Sequence, residues 1–452
     1  MSKKKRYAQV GVGGRSVMFS DAIANLYHES CVMVAFCDVN AGRLRDRIEA
    51  EPFKTQGVPG YAPEDFDRMV AETRPDIVIV TTRDSSHDLY ICRAMELGCD
   101  VVTEKPMTIS AEKCQRIVDT QARTGRECRV TFNYRYSPPR TQVKDLLMSG
   151  LIGEVLSVDF QWMLDTRHGA DYFRRWHRRK ENSGGLMVHK ATHHFDLVNW
   201  WLSAVPETVF ATGHRRYATP RTAERLGLTN RGERCHGCPD AKKCAYELDL
   251  SANEGLKAMY LDNEGHDGYF RDRCIFSEDM DIEDSMQAIV TYDNEVRMSY
   301  SLNAFCAWEG YTICFNGTKG RLEHKCMESA YINGDGTVQG ALQSDGTTIR
   351  VYPLRDDAYL VPLWEAEGGH GGGDEPLLKD VLAAQGEDAY RRAADHRAGA
   401  YSILTGIAAN QSMASGKQVR IRDLVSGLAR PDYPAMPTSA DPLPMPVKPK
   451  SA

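Results

Sequence analysis

Hydrophobic and polar positions follow two different patterns along the chain, and these predict two different sheets. Before residue 132, short apolar runs alternate with amphipathic stretches, which is typical of buried parallel strands joined by helices. The predicted strands are 6–10, 32–37, 76–81, 100–103 and 128–131, and the predicted helices are 16–27, 89–97 and 111–124. Later runs at 155–163, 208–212, 286–291, 295–302 and 311–315 are alternating or apolar, as in an antiparallel sheet. The chain is therefore predicted to be an α/β protein.

The length of 452 residues exceeds what a single hydrophobic core usually supports, so two domains are expected. We place an N-terminal doubly wound domain at 1–132 and an α+β domain with a large, open, mostly antiparallel sheet at 133–430. A charged, turn-rich insertion at about 215–283 interrupts the second domain. Helices are predicted from 380 onward and at 401–412. The proline-rich tail, 431–452, is expected to reach across a neighbouring subunit or to remain disordered.

Composition narrows the classes of partner. The formal net charge of −6 gives no electrostatic reason to expect nucleic acid. No apolar run approaches the roughly 20 residues that span a bilayer, so no membrane contact is expected. Residues 1–6 resemble the basic start of a signal peptide, but the strand and glycines that follow do not form its apolar region. The 13 scattered cysteines are expected to be reduced thiols, as in a large cytoplasmic protein.

A glycine turn follows the first strand and opens the first helix. Gly11, Gly13 and Gly14, followed by Arg15 and Ser16, let backbone N–H groups approach a pyrophosphate at the positive end of a helix. Ser16 stands where the third glycine of the usual pattern would be. The turn predicts a dinucleotide-binding, Rossmann-type domain.

The second strand ends in Asp38, at the distance from the glycines where a carboxylate would bind a ribose 2′-hydroxyl. This favours NAD over NADP. The alternative is a simple βαβ turn with an incidental aspartate.

Other polar residues follow the ends of later strands in the same domain. They are Thr82, His87, Glu104, Lys105 and Asn133. Because ligands bind at the carboxyl ends of the strands in open α/β sheets, we predict that these residues contact the cofactor. Pro106 keeps Lys105 out of helical geometry, which favours a function for Lys105 over a solvated surface lysine.

Ionisable groups are concentrated in residues 184–196, which are predicted to be helical. His189, His193 and Asp196 share one face, with Lys190 and His194 a quarter-turn away. Because histidine titrates near neutral pH, this face is a candidate for proton transfer. The alternative is a solvated polar face.

Together these motifs resemble the glucose-fructose oxidoreductase and inositol dehydrogenase family, Gfo/Idh/MocA. The resemblance implies an NAD(P)-dependent sugar or polyol oxidoreductase with Lys105 and His193 as the catalytic pair. It also implies oligomer contacts through the open second sheet, and we expect a homodimer or homotetramer. Two positions differ: the family usually has Asp where this chain has His189, and Gly where it has Ala191.

A basic, aromatic segment at 167–180 directly precedes this helix. Its arginines could pair with an anionic group on a substrate, or the segment could be a solvated or subunit-facing charge run. The glycine-rich stretch 367–374 could bring His370 to a ligand or be a flexible loop. The predicted substrate contacts are Arg135, Tyr136, Arg175, Trp176, His194 and His370.

Four cysteines in the insertion predict one structural zinc: Cys235, Cys238, Cys244 and Cys274. The first two have the spacing of a zinc knuckle, and the insertion is too polar to form a core of its own. Free thiols or disulfides are the alternatives, and His236 could replace one cysteine.

The sequence therefore predicts an NAD-dependent oxidoreductase that takes hydride from a carbinol carbon of a sugar or sugar derivative. His193 would be the base and Lys105 would stabilise the oxygen, with His189 and Lys190 as further acid/base groups. One alternative is an NAD-dependent, redox-neutral glycosidase, which could act on an anionic sugar. Another is a nucleotide-sensing regulator without turnover.

Overall fold

The computed structural model describes residues 3–328, 346–383 and 386–445. Residues 446–452 of the predicted tail lie outside this part. The strands are β1 Lys5–Val10, β2 Cys31–Cys37, β3 Gly60–Tyr61, β4 Ile77–Val80, β5 Asp100–Thr103, β6 Cys128–Val130, β7 Val155–Asp165, β8 Pro206–His214, β9 Ser285–Tyr292, β10 Arg297–Cys306, β11 Glu309–Gly317, β12 Gly320–Glu328, β13 Thr348–Pro353, β14 Tyr359–Val361, β15 Ala394–Asp395 and β16 Val419–Arg420.

The α-helices lie mainly between the strands of the first domain and on one side of the second sheet. They are α1 Val17–Asp21, α2 Ala41–Glu49, α3 Phe53–Gln56, α4 Phe66–Thr73, α5 His87–Glu96, α6 Ala111–Thr124, α7 Pro138–Met148, α8 Thr166–Arg174, α9 Lys180–Ser183, α10 Leu186–His189, α11 Ala191–Leu202, α12 Pro220–Arg225, α13 Glu254–Leu256, α14 Glu264–Asp267, α15 Gly369–Gly372, α16 Asp374–Leu382 and α17 His396–Ser415. None of these described helices is long and apolar enough to cross a membrane.

The first sheet has the order β15-β6-β5-β4-β1-β2-β3 in the described residues, and β1 to β6 pair in parallel. Its central strands are buried on both faces, since Tyr7 and Ile77 belong to one apolar cluster and Ala8 and Val78 to another. This explains their continuous apolar sequences. The predicted Rossmann-type domain is confirmed.

The second sheet has nine strands in the described residues, in the order β14-β13-β12-β11-β7-β10-β9-β8-β16. β7 and β10 pair in parallel, and the other neighbours are antiparallel. Helices α8 and α17 pack on β10 and β8. The opposite face carries exposed apolar side chains, among them Leu156, Phe210 and Ile289. The predicted open, mostly antiparallel sheet is confirmed.

Helix α17 joins the two domains. Asp395 caps it by accepting hydrogen bonds from the N–H groups of Arg397 and Ala398, and β15, directly before the helix, pairs with β6. The helix then packs against α10, α11 and β8 of the second domain. This arrangement holds α10 and α11 against the carboxyl-end edge of the first sheet.

Three predicted elements need correction. The helix expected from 380 onward instead begins at Asp374 and ends at Leu382. The helix expected across 184–196 is divided at Lys190 into α10 and α11.

The third correction concerns the start of the tail, which packs on its own chain. The Tyr433 ring lies 5.7 Å from the Arg135 guanidinium, and the carbonyl of Pro434 accepts a hydrogen bond from Ser203. These residues therefore have a position on their own chain, and a contact of the tail with a neighbouring subunit stays a prediction.

Candidate functional site

A cleft of about 940 Å³ lies between the carboxyl-end edge of the first sheet and helices α10 and α11. Most of the predicted cofactor, catalytic and substrate residues line it: Gly11, Gly13, Gly14, Arg15, Asp38, Thr82, His87, Glu104, Lys105, Arg175, Trp176, His189, Lys190, His193 and His370. Both domains therefore contribute to one site.

The glycine turn forms the nucleotide end of the cleft. Gly11 has a φ of +89°, and a Cβ there would lie 2.6 Å from the Thr81 carbonyl group, so only glycine fits. A Cβ at Gly13 would meet no atom within 4 Å, so the backbone there is open to the cleft. The Asp38 carboxylate accepts hydrogen bonds from the N–H groups of Val12 and Asn40. These features fit a dinucleotide-binding turn, and the two hydrogen bonds hold the Asp38 carboxylate beside it.

Two predicted cofactor residues do not line the cleft. Ser16 is buried and donates a hydrogen bond to the Gly13 carbonyl at 2.6 Å. Asn133 donates to Asp374 at 2.7 Å. Both predictions are corrected: Ser16 supports the glycine turn from behind, and Asn133 fixes the segment that carries His370.

Lys105 and His193 face the same cleft from opposite domains. Burial lowers the pKa of Lys105 to about 8, although the nearby carboxylates Glu104 and Asp84 oppose the shift. Burial, with nearby cations, also lowers the pKa of His193 well below its ordinary value. The His193 ring stacks on Tyr134 at 4.2 Å, and its buried Nδ1 has no hydrogen-bond partner among the described residues. A neutral imidazole with a free nitrogen can accept a proton.

A second acid/base pair lies beside Lys105. The Nδ1 of His189 forms a short hydrogen bond with the Asp84 carboxylate, and the His189 carbonyl lies 3.5 Å from the Lys105 ammonium. Burial lowers the pKa of His189 well below its ordinary value, and the positive charges of Lys105 and Arg175 add to the effect. Asp84 thus orients His189, which stands where the family that this chain resembles usually has an aspartate. No motif in the sequence indicated Asp84.

Lys190 faces a buried carboxylate from a distant strand. Its ammonium lies 3.8 Å from Glu309 and 4.5 Å from the centre of the Trp162 ring, and burial lowers its pKa. Glu309 also lies 2.7 Å from His168, whose other ring nitrogen is 2.9 Å from the Tyr172 hydroxyl. No pattern in the sequence indicates Glu309, because it lies more than 100 residues away from Lys190 and His168.

Three of the predicted substrate contacts line the cleft. Arg175 and Trp176 follow helix α8, and the Trp176 ring lies 5.9 Å from that of His189. His370 is held by Asp374, at 2.8 Å from Nδ1, and Asp374 also lies 3.4 Å from Arg15. These contacts join the 368–374 segment to the first domain.

The other three predicted substrate contacts are corrected, because their side chains are used inside the protein. Arg135 is 1% exposed and forms a two-bond ion pair with Asp196, at 2.6 and 2.7 Å. Asp196 is therefore also absent from the cleft face. Tyr136 donates a hydrogen bond to Asp380, and His194 is fully buried, 2.7 Å from the Tyr300 hydroxyl.

The four insertion cysteines, Cys235, Cys238, Cys244 and Cys274, line one small cavity of about 30 Å³. Among the described residues, however, no group of three or more His, Cys, Asp or Glu side chains is arranged to hold a metal ion. All four are free thiols. The predicted structural zinc is therefore not supported by the geometry. The four cysteines lie close together in the fold, as their spacing in the sequence suggested. Their side chains are nevertheless not arranged as the ligands of a metal ion.

Comparison with known proteins gives two family matches. Residues 5–132 match the oxidoreductase family model for the NAD-binding Rossmann fold, GFO_IDH_MocA. Residues 144–421 match the model for the C-terminal alpha/beta domain of the same family.

The similar proteins are named as an oxidoreductase, a glycosyl hydrolase and a dehydrogenase. "Putative oxidoreductase YteT" of Bacillus subtilis is 39% identical over 377 residues, which cover 81% of this chain and 86% of that protein. "Glycosyl hydrolase family 109 protein 1" of Akkermansia muciniphila is 29% identical over 196 residues, covering 41% and 40% of the two chains. The WlbA dehydrogenase of Bordetella pertussis, solved in complex with NADH and UDP-GlcNAcA, aligns with a TM-score of 0.60 at 18% identity, covering 92% and 99%. The last likeness shows the fold alone.

Proposed function

Because the chain belongs to the Gfo/Idh/MocA family of NAD-binding oxidoreductases, we propose that it oxidises a carbinol carbon of a sugar or sugar derivative with NAD. One observation carries the proposal: Lys105 and His193 line the same cleft, which begins at the glycine turn, and the buried Nδ1 of His193 has no hydrogen-bond partner among the described residues. Bound NAD would supply the hydride acceptor.

The protein's own residues would then handle the proton and the oxygen. His193 takes the hydroxyl proton as the carbinol carbon loses hydride, and the charged Lys105 ammonium stabilises the negative charge that develops on the oxygen. Glu104 and the Arg15 side chain, 2.8 Å apart, hold the strand end that carries Lys105. His193 is only 4% exposed, which limits the access of water to its ring.

Panels of free sugars and of sugar glycosides, incubated with the protein and NAD, test this proposal. Accumulation of NADH, followed by its absorbance, is the expected result. Tight nucleotide binding with no product from either panel would instead favour a nucleotide-sensing regulator.

Redox-neutral glycoside cleavage is the second candidate, and the His189–Asp84 pair favours it. Oxidation makes the adjacent C–H acidic, and loss of that proton together with the aglycone leaves a double bond. Addition of water and return of the hydride restore NAD. His189 is a second base next to Lys105, and similarity to a glycosyl hydrolase family 109 protein adds support.

The variant His189→Asp restores the usual family residue and separates the two candidates. If cleavage is the activity, aglycone release is lost while NADH formation rises. Aglycone release unchanged in this variant would exclude His189 from that chemistry.

A local excess of positive charge around Asp171 supports an anionic sugar as the substrate. Arg175 and Arg271 share a single carboxylate, Asp171, and the Nε of each arginine is buried without a partner among the described residues. Two guanidinium groups with one carboxylate leave a net positive charge, which a substrate carboxylate would balance through bidentate contacts.

Calorimetric titration of the NADH-loaded protein with glucuronate and with glucose tests this substrate class. Arg175→Gln is expected to weaken glucuronate binding about 10-fold or more, because a charged hydrogen bond is lost, and to leave glucose binding unchanged. Arg179→Gln, on an exposed side chain of the same segment, is the matched control. Equal loss for both sugars would count against a carboxylate site.

A further inference from the structure

The insertion between β8 and β9 does not stand apart from the first domain. The Asn40 side chain donates a hydrogen bond to the Asn263 carbonyl at 2.8 Å, and the Asn263 amide donates to Asp46 at 2.9 Å. A Cβ at Gly42 would lie 1.8 Å from the Asn263 side-chain oxygen, so the close approach requires glycine. The insertion is therefore packed on helix α2, directly after Asp38.

The same part of the insertion reaches the glycine turn. A Cβ placed at Gly14 would lie 3.3 Å from the Tyr260 hydroxyl and 3.7 Å from the Met259 sulfur. Both side chains also line the cleft. Residues 253–267 thus form one wall of the nucleotide end of the cleft, which the sequence analysis did not foresee.

The insertion adds a negative charge to this wall of the cleft, the carboxylate of Asp267. The Arg43 guanidinium lies 3.9 Å from the Asp38 carboxylate, and it forms a close ion pair with Asp267 of the insertion. The side chains of Arg43 and Asp267 are 11% and 10% exposed, so solvent screens the pair only weakly. Two carboxylates around one guanidinium leave a net negative charge beside the ribose position.

We propose that Asp267 is a cofactor-specificity residue, which balances the charge of Arg43 and so excludes a 2′-phosphate. The inference rests on the proposed function in that it requires NAD at this cleft. Asp38 alone would leave Arg43 free to turn to a phosphate, whereas the second carboxylate from the insertion prevents this. The Nη1 of Arg43 is buried without a partner in the described part of the chain, so Arg43 can still donate a hydrogen bond to an uncharged hydroxyl.

Binding measurements on the purified full chain test this without any turnover. NADH and NADPH dissociation constants, measured by the fluorescence of the reduced nucleotides, are compared in the native protein and in Asp267→Asn. The variant is expected to bind NADPH about 10-fold more tightly, which corresponds to about 1.4 kcal/mol, and to bind NADH within about 2-fold of native. Asp262→Asn is the matched control, because Asp262 lies on the same segment and pairs with the exposed Lys257.

Two further variants test whether a gain in NADPH affinity depends on the Arg43 guanidinium. In the double variant Asp267→Asn/Arg43→Gln the gain in NADPH affinity should disappear, because the gain depends on the freed guanidinium. Arg43→Gln in the native background should change NADPH binding less than about 3-fold, since Asp267 already balances that charge.

Unchanged NADPH affinity in Asp267→Asn, or a gain that persists without Arg43, would overturn the inference and leave the proposed function standing. A native protein that binds neither nucleotide would overturn both.

Discussion

Lys105 gives the proposed chemistry its most specific pH dependence. Burial lowers its pKa from an ordinary 10.5 to about 8, so the ammonium is charged below pH 8 and neutral above it. At pH 9 only about one tenth of the molecules would keep the charge that stabilises the developing alkoxide. His193 behaves oppositely: its lowered pKa keeps it neutral, and able to accept a proton, throughout the neutral range.

The profile of kcat/KM against pH, measured with the best sugar from the panel, should therefore fall above pH 8. Lys105→Gln removes the charge at every pH, and we expect a loss of about 100-fold to 10,000-fold. Lys105→Arg keeps a charge that does not titrate below about pH 12, so the alkaline fall should vanish even if the absolute rate is lower. Lys54→Arg, at an exposed lysine, should retain the native profile.

The diagnostic feature is the shape of the profile, because a change of shape does not depend on how well arginine fits. An alkaline fall near pH 8 that persists unchanged in Lys105→Arg would refute the assignment of that pKa to Lys105. Near-native activity in Lys105→Gln would remove the lysine from the mechanism.

Three other predictions follow from the same structure. His193→Ala should lower turnover about 100-fold to 10,000-fold while the NADH dissociation constant, measured by fluorescence, stays near native. Asp196→Asn leaves the Arg135 charge buried without its partner, so chemical denaturation should show a loss of about 3–5 kcal/mol; a loss below 1 kcal/mol would contradict the buried pair. We propose that the open face of the second sheet joins two copies of the chain, so Ile289→Arg should shift the sedimentation coefficient to that of a monomer, and a native monomer would contradict this.

The parts of the site that the sequence predicted lie at strand ends. Gly11, Asp38 and Lys105 each follow a short strand that the sequence predicted, and parallel strands bring their carboxyl ends to one edge. The chain positions were therefore enough to bring these residues together. His193 could be found because ionisable groups are concentrated after the glycine pair and because the motifs resemble a known family, although the helix predicted there is divided at Lys190.

The parts that were missed or misplaced depend on contacts between distant segments. Asp84 becomes a neighbour of His189 only when the two domains meet, and Glu309 reaches Lys190 only when the second sheet is formed. Arg135 follows a strand end as the true site residues do, but Asp196 binds it inside the protein. No periodicity in the sequence distinguishes an arginine that faces a cleft from one that faces a buried carboxylate.

The position of the insertion also depends on contacts between distant segments, which the sequence pattern does not reveal. Its cysteine spacing suggested a metal site, whereas the contacts that give it a position are hydrogen bonds and an ion pair to helix α2. These partners are polar side chains more than 200 residues apart, and each type is common on protein surfaces. Only the folded arrangement identifies them as part of the nucleotide end of the cleft.

Transfer of the carbinol hydrogen tests the central claim most directly. A uniformly C-deuterated form of the best sugar from the panel is incubated with the protein and NAD, and the nucleotide is then isolated and examined by mass spectrometry. We predict that NADH accumulates and carries one deuterium, taken from the oxidised carbon. Sugar turnover that leaves the nucleotide as unlabelled NAD, or nucleotide binding with no labelled NADH formed, would contradict the account.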